Sequence, residues 1–261
     1  MSPFFFCDAP QMEYLAKLKD YTGKLIITTP MYEHKAYAAY VKSLVDTAIV
    51  LTKTNIQFEY WPGAGDFHVE RAVNNVLNRF LHSDATDILM IDSDEGWNVE
   101  GVLRLLIHPE EVVSGVYRMK NNWMNWTAQV RQPPQGRELG DGTALLIADR
   151  LPGGFLRIKK TALEKIARVI PERYMDGEMS TVPFFLTKIK DGLFTSCDYV
   201  FSDYCKQAGV PLWVDPDITI GHFGVTEYQG NYDQYLKGLL KENEAFSEVQ
   251  RMAQQIEARN G

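Results

Sequence analysis

The sequence predicts an α/β protein built around one sheet, and three observations favour that class. Three hydrophobic runs in the first half have the length and composition of buried strands. The segments between these runs carry apolar residues at helical spacing. Strands that alternate with helices are typical of a parallel sheet with helices on its faces. The chain has 261 residues and is 45% hydrophobic, so it can bury the core that such a fold requires.

The elements of the first half follow from these patterns. A β-branched run stops at Pro30, so the first strand should open there into a loop, where α/β sheets bind ligands. Asp66 is the expected N-cap of a helix, because an apolar stripe follows it. In chain order we predict a strand at 25–29, a helix over 37–51, a strand at 58–61, a turn at 62–65, a helix to about 80 and a strand at 88–91.

The second half is less regular. Aromatic residues and lysines fill residues 173–195, which we expect to form a loop. Beyond Gly230 the chain is charged and helical in pattern, so we predict a domain over 1–230 and a C-terminal helical extension over 231–261. That helix either docks on the domain or mediates self-association. The other predicted elements are strands at 112–116, 143–147, 155–158 and 212–222, and helices over 98–107, 161–169 and 198–208.

Composition excludes several classes of protein. The net charge of -7 argues against binding nucleic acid or an anionic membrane through the overall field of the protein. The three cysteines match no zinc or redox spacing, so we expect reduced thiols and a cytoplasmic protein. No apolar stretch approaches membrane-spanning length, and the run before Asp8 is too short for a signal peptide, so we expect neither export nor a membrane span.

Asp92 and Asp94 lie two residues apart where the third predicted strand ends. Carboxylates at that position leave the sheet and can face a ligand, so the pair can hold a hard cation directly or through water. A divalent ion there would bridge the two phosphates of a nucleotide sugar. The alternative is that one aspartate caps the following helix.

Two later segments strengthen the functional interpretation. His222 ends a predicted strand between Gly221 and Gly224, where the backbone can approach a ligand closely. Asp198 begins a predicted helix, where it either faces the site or serves as the N-cap.

Taken in this order, the segments resemble the GT-A glycosyltransferases, especially inverting enzymes and their short phage- and virus-encoded relatives. The resemblance covers residues 25–224, and its most specific part runs from Asp198 to Gly224. One departure is Cys197-Asp198, where the family more often has Glu-Asp. The five matching segments are 27–30, 91–94 with the DxD motif, 113–117, 153–155 and 198–224.

The resemblance implies a fold and a set of roles. The fold would be GT-A, a Rossmann-like mixed sheet flanked by helices. Asp94 and His222 would bind Mn²⁺ or Mg²⁺, with Asp92 as a further metal or ribose contact, and Asp198 would be the catalytic base. Gly154 would lie beside the acceptor. The implied donor-site residues, for some of which strand-end packing is the alternative, are Thr28, Thr29, Pro30, Tyr32, Asp92 and Ser93.

The implied reaction transfers a hexose or pentose, with inversion, from a nucleoside-diphosphate sugar, a UDP-sugar being favoured. A nucleotidyltransferase is the alternative enzyme, but the segment after the first strand lacks a glycine-rich loop with a lysine. A nucleotide-sugar or glycan binding module without turnover is the non-enzymatic alternative.

The acceptor stays open. Trp123 and Trp126 follow the basic segment 117–120, so they can stack on a sugar ring or on a flipped base, or simply pack. Acceptors that fit are a glycan, a protein or a hydroxylated base in phage DNA. In the last case the protein would act in the cytoplasm of the phage's host.

Overall fold

The computed structural model of the chain describes residues 9–121, 125–139, 143–190, 192–239 and 241. Its α-helices are α1 (Ala9–Lys17), α2 (Ala38–Lys53), α3 (Val69–Leu81), α4 (Val99–Ile107), α5 (Lys160–Val169) and α6 (Cys197–Gln207). A 3-10 turn at Tyr32–His34 follows the first strand, and residues 232–239 are also helical.

The strands are β1 (Lys24–Met31), β2 (Gln57–Ala64), β3 (Asp87–Ile91), β4 (Glu95–Trp97), β5 (Val112–Ser114), β6 (Gln129–Val130), β7 (Gly136–Glu138), β8 (Ala144–Arg150), β9 (Phe155–Lys159), β10 (Tyr174–Asp176), β11 (Met179–Thr181), β12 (Lys188–Lys190), β13 (Leu193–Thr195), β14 (Leu212–Val214), β15 (Ile220–Phe223) and β16 (Glu227–Tyr228).

The main sheet of the described chain has the order β2-β1-β3-β9-β5-β14-β8-β6, with β7 also pairing with β8. The first three strands in this order are parallel, so their carboxyl ends meet at one edge. Strand β9 is antiparallel to both β3 and β5. The sheet is therefore mixed and flanked by helices, which confirms the predicted α/β class.

Alternate residues of the central strands enter two separate cores. Ile26, Ile88 and Met90 face a core that includes side chains of α3, α5 and α6. Ile27 and Leu89 face the opposite core, which includes side chains of α2 and α4. The period of two along each buried strand thus produces a three-layer arrangement of helices, sheet and helices.

Three predicted elements differ from the structure. The strand predicted over 212–222 is two strands, β14 and β15, which belong to different sheets. Strand β2 continues through Pro62 and Gly63, where we predicted a turn, because an edge strand tolerates a proline, which cannot donate to a ladder. Helix α3 begins at Val69 rather than directly behind Asp66. The carboxylate of Asp66 instead accepts hydrogen bonds from the His68 amide and the Arg71 guanidinium.

The predicted loop over 173–195 contains two antiparallel hairpins, β10–β11 and β12–β13. Buried asparagines of α3 hold the segment that joins the hairpins. The side chain of Asn74 donates to the Phe185 carbonyl at 2.7 Å and accepts from the Phe185 amide at 2.8 Å. Asn78 pairs in the same way with Val182. These side chains replace a strand partner, which explains why periodicity did not predict the arrangement.

No helix in the described part of the chain is long and apolar enough to cross a membrane. In the predicted C-terminal extension, residues 232–239 are helical as expected. Residues 242–261, which carry most of its apolar seam, lie outside the described residues. The domain boundary at 230 and self-association through this helix stay predictions.

A buried ion pair fixes α4 against the end of β14. The Arg104 guanidinium donates to both oxygens of Asp215 at 2.8 and 2.9 Å, and His108 Nε2 lies 2.9 Å from the same carboxylate. Burial alone would raise the pKa of Asp215, but hydrogen bonds from His108 and Arg104 lower it below its ordinary value. The Asp215 carboxylate is therefore ionised, and it is the buried hydrogen-bond partner of both Arg104 and His108.

We expect Asp215→Asn to lower the free energy of unfolding by about 3 kcal/mol, because it removes the buried counter-charge that is nearest to the Arg104 guanidinium. Since the pKa of Asp215 is lowered, its contribution is present above the ordinary aspartate pKa and is lost as the pH falls through the folded value. Urea denaturation at pH 7 and pH 3 measures both effects.

The matched control is Asp46→Asn, in a solvent-exposed pair with Lys42. We expect it to change stability by less than about 0.5 kcal/mol. Equal effects of the two substitutions at pH 7 would contradict the role assigned to Asp215.

Candidate active site at the carboxyl edge of the sheet

The predicted DxD segment lies at the carboxyl end of β3. The Asp92 amide donates to the Gly154 carbonyl at 2.9 Å, which ties the segment to the turn before β9. Strand β4 then begins at Glu95, and Asn98 rather than an aspartate is the N-cap of α4. The alternative in which Asp92 or Asp94 caps the following helix is therefore wrong.

Antiparallel pairing of β4 with β15 brings His222 to the DxD segment. In this register His222 lies opposite Glu95. The Phe223 amide donates to the Asp94 carbonyl at 2.8 Å, so the ladder continues into the motif. As a result His222 Nε2 lies 3.8 Å from Asp94 Oδ1.

The hydrogen bond of the other ring nitrogen fixes the tautomer of His222. Nδ1 lies 2.7 Å from the Arg118 carbonyl, which can only accept, so Nδ1 carries the hydrogen. Burial lowers the pKa of His222, which favours the neutral ring. The lone pair of Nε2 then faces Asp94, the arrangement that histidine ligands of metals adopt.

Two glycines allow the carboxylates to converge. A β-carbon on Gly153 would lie 2.9 Å from Asp198 Oδ1. One on Gly154 would lie 2.3 Å from Glu95 Oε1 and 2.8 Å from Asp92 Oδ2. Because such contacts would force the neighbouring side chains apart, the turn between β8 and β9 requires glycine at both positions.

Asp198 lies in the first turn of α6, behind Ser196 at the N-cap position. It is therefore not the N-cap, and its side chain faces Gly153. Burial raises the pKa of Asp198, while hydrogen bonds from the Cys197 thiol and the Gly153 backbone oppose that rise. A carboxylate with a raised pKa is a better proton acceptor, which suits a general base.

Glu95 is the site residue that the sequence did not indicate. Its side chain is fully buried, and within the described part of the chain neither carboxylate oxygen accepts a hydrogen bond of good geometry. Burial, followed by the charges of Asp92 and Asp94, raises the pKa of Glu95 well above its ordinary value. Burial and the charges of Asp94 and Asp198 raise the pKa of Asp92 to about 7. The acidic cluster is thus short of positive charge.

The residues present fit a divalent cation. Asp94 and His222 offer a carboxylate oxygen and an imidazole nitrogen, a mixed set that suits Mn²⁺ at least as well as Mg²⁺. The ammonium of Lys120 contacts Asp94 Oδ2, so a positive charge is already drawn to this point. The described residues contain no cluster of three or more His, Cys, Asp or Glu side chains arranged to hold a metal. Oxygens of a ligand or of water would complete the coordination.

A cavity of about 240 Å³ lies beside the DxD segment. The exposed rings of Tyr32 and Phe67 meet edge to face, with centroids 5.6 Å apart. Such a pair offers a surface on which a base can stack. The residues that line the cavity are Pro30, Met31, Tyr32, Gly63, Asp66, Phe67, Val69, Ala72, Asp92, Ser93 and Asp94.

The predicted donor residues therefore fall into two groups. Pro30, Tyr32, Asp92 and Ser93 line the cavity. Thr28 and Thr29 are buried within β1, where the Thr28 hydroxyl donates to the Trp61 carbonyl and the Thr29 hydroxyl contacts the Tyr40 hydroxyl. For these two side chains the structure shows strand packing, and a contact with the donor stays a prediction.

The predicted acceptor residues are only partly described. Gly154 lies among the carboxylates, and its place beside the acceptor stays a prediction. The ring of Trp126 packs against Tyr232 and Tyr235, with centroid distances of 4.9 and 5.7 Å. Trp123 lies outside the described residues.

No protein-family model and no curated protein matches the sequence. Among solved structures, the chain is similar to the catalytic domain of Drosophila β1,4-galactosyltransferase 7 in complex with xylobiose, with a TM-score of 0.43, 11% identity, and coverage of 74% of this chain and 65% of that one. It is also similar to GalNAc-T7 with UDP, GalNAc and Mn²⁺, with a TM-score of 0.44, 9% identity, and coverage of 78% and 44%. The chain thus spans less than two thirds of either structure, and at these values the likeness carries no argument about function.

We expect Glu95→Gln to raise the free energy of unfolding at pH 8, without added metal, by on the order of 1 kcal/mol. Because the pKa of Glu95 is raised, the stability that its protonated form contributes is lost as the pH rises through that pKa. Glutamine has no charge to acquire, so the gain should be smaller at pH 5. Urea denaturation at both pH values measures it, and a gain that is equal at pH 5 and pH 8 would argue against an ionising Glu95.

Proposed function

We propose that the chain is a metal-dependent GT-A glycosyltransferase, which transfers a sugar from a nucleoside-diphosphate donor to an acceptor hydroxyl. One observation carries the proposal. His222 Nε2 lies 3.8 Å from Asp94 Oδ1, Asp94 lines one edge of a cavity, and Asp198 lies across the Gly153–Gly154 turn from that edge. A cation site beside a cavity, with a basic carboxylate opposite, is the arrangement that displacement of a diphosphate requires.

The cavity would hold the donor. The nucleoside would lie against Tyr32 and Phe67, and the diphosphate would point toward Asp94. A divalent cation bound by Asp94 and His222 would neutralise charge on the leaving diphosphate. A UDP-sugar is the favoured donor, and Asp92 would contact its ribose or the ligands of the cation.

Asp198 would act as the general base. Its carboxylate takes the proton from the acceptor hydroxyl while that oxygen bonds to the anomeric carbon and the bond to the diphosphate breaks on the opposite face. The configuration at that carbon therefore inverts. Gly153 leaves room for the acceptor oxygen, because any larger residue would crowd Asp198. The acceptor class is a glycan, a protein or a hydroxylated DNA base, the sugar is a hexose or pentose, and the proposed location is the cytoplasm.

We expect a nucleoside diphosphate, UDP first, to bind in the presence of Mn²⁺ and to bind at least about tenfold more weakly to Asp94→Asn, because the amide does not bring the charge that the cation requires. Calorimetric titration of a panel of nucleoside diphosphates, with Mn²⁺ and with chelator, measures this. Asp46→Asn, an exposed aspartate on α2, is the control and should bind as the native chain does. If the native chain binds no nucleotide under either condition, the proposal fails.

We expect Asp198→Asn to lower kcat by a factor of about 10² to 10⁴, the usual contribution of a general base, and to change nucleotide binding by less than about twofold. Release of diphosphate from a sugar donor, followed in an acceptor screen, measures turnover. Asp203→Asn is the matched control on the same helix, where Asp203 pairs with Arg150. Undiminished turnover of Asp198→Asn would exclude it as the base, and an absence of turnover in the native chain with every acceptor would favour a binding module.

A further inference from the structure

We propose that Lys120 supplies the positive charge at Asp94 in the ligand-free chain and moves to the donor's diphosphate when the donor binds, so that nucleotide and metal bind cooperatively. The inference rests on the proposed function and assigns a role that the sequence did not indicate. It concerns the order and coupling of two binding events at the same site.

The contacts of Asp94 support the first step of the proposal, which is competition between Lys120 and the metal. One oxygen of this carboxylate, Oδ2, contacts the Lys120 ammonium, and the other, Oδ1, lies 3.8 Å from His222 Nε2. The ammonium already neutralises this carboxylate, and its charge repels a second cation that approaches the same group. A metal that enters between Asp94 and His222 must therefore compete with Lys120.

The position of the Lys120 side chain supports the second step, which is its movement away from Asp94. The stem of Lys120 runs along Gly224, where an added β-carbon would lie 3.3 Å from Cδ and 3.8 Å from Cε. The absence of a side chain at Gly224 leaves the stem room to move. The ammonium is partly exposed, so a change of rotamer does not break a packed core.

A diphosphate bound in the donor cavity would be the new partner of the Lys120 ammonium. Asp94 itself lines that cavity, so the ammonium already lies at its edge. A diphosphate that enters the cavity brings negative oxygens close to Lys120, and a lysine binds phosphate as a flexible point charge. Transfer of the ammonium to the phosphate removes its charge from Asp94, so the full charge of this carboxylate becomes available to the metal.

This exchange has a thermodynamic consequence. If the nucleotide removes the competitor of the metal, it must raise the affinity for metal, and the metal must raise the affinity for nucleotide by the same factor. Removal of the ammonium should abolish that part of the coupling. It should also weaken nucleotide binding in the absence of metal, because a phosphate contact is lost.

The test compares the native chain with Lys120→Gln and with the control Lys42→Gln, which removes an exposed lysine of α2. Electron paramagnetic resonance of free Mn²⁺ gives the affinity for metal, without nucleotide and with saturating UDP. Calorimetry with chelator gives the affinity for UDP and for uridine. Circular dichroism confirms that each variant is folded, and Lys120→Met replaces Lys120→Gln if needed.

We expect Lys120→Gln to bind Mn²⁺ about tenfold more tightly than the native chain without nucleotide, and to show a smaller increase on addition of UDP. It should bind UDP, but not uridine, more weakly in chelator. The control should behave as the native chain does in every titration.

Two results would overturn the inference while leaving the proposed function intact. One is an unchanged Mn²⁺ affinity in Lys120→Gln. The other is a higher affinity with an unchanged response to UDP, which would reduce Lys120 to a general electrostatic effect. Failure of the native chain to bind any nucleoside diphosphate would instead refute the proposed function, and this inference with it.

Discussion

Four carboxylates repel one another at the edge of the sheet where β3 ends. They belong to Asp92, Asp94, Glu95 and Asp198. Burial makes that repulsion stronger, because little water screens it. Two features of the surrounding structure make the cluster possible. Gly153 and Gly154 leave space for the carboxylates to approach, and the ammonium of Lys120 contacts Asp94. A site of this kind is incomplete without more positive charge. The repulsion that lowers the stability of the site is therefore also the source of its affinity for a cation.

The backbone holds this arrangement in place. Strand β3 is buried on both faces of the sheet, and the short ladder between β4 and β15 attaches His222 directly to the residues that follow the DxD motif. Hydrogen bonds of the peptide groups do not weaken when the carboxylates ionise. The unfavourable electrostatics can therefore persist in a folded chain, since the sheet and the buried Arg104–Asp215 pair stabilise it elsewhere.

The sequence predicted what depends on local patterns. The strands before Pro30 and Asp92 carry continuous β-branched and aliphatic runs, and the helices between them carry clear stripes, so their order and class were accessible. Strand β4 was not, because three residues that pair with a distant strand have no periodicity of their own. Glu95 was missed for the same reason, and Lys120 was assigned to the basic segment of the acceptor loop rather than to Asp94. Their environment is set by contacts across the small sheet and by Gly154 and Gly224, which no spacing reveals.

The two sides of the site are built differently, and this bears on how such a site acquires specificity. The proposed donor side is built mainly at strand ends of the central sheet, where β1 and β2 contribute residues to the cavity and residues 92–94 follow β3. On the proposed acceptor side, Asp198 follows the β12–β13 hairpin, whose Ile189 and Phe194 form a cross-strand pair that is 80% and 76% exposed. A hairpin at the surface can change sequence without disturbing a core, whereas a strand of the central sheet cannot. Under the proposed function, the hairpin that precedes Asp198 could therefore change its exposed apolar pair without disturbing the strands that hold the acidic residues.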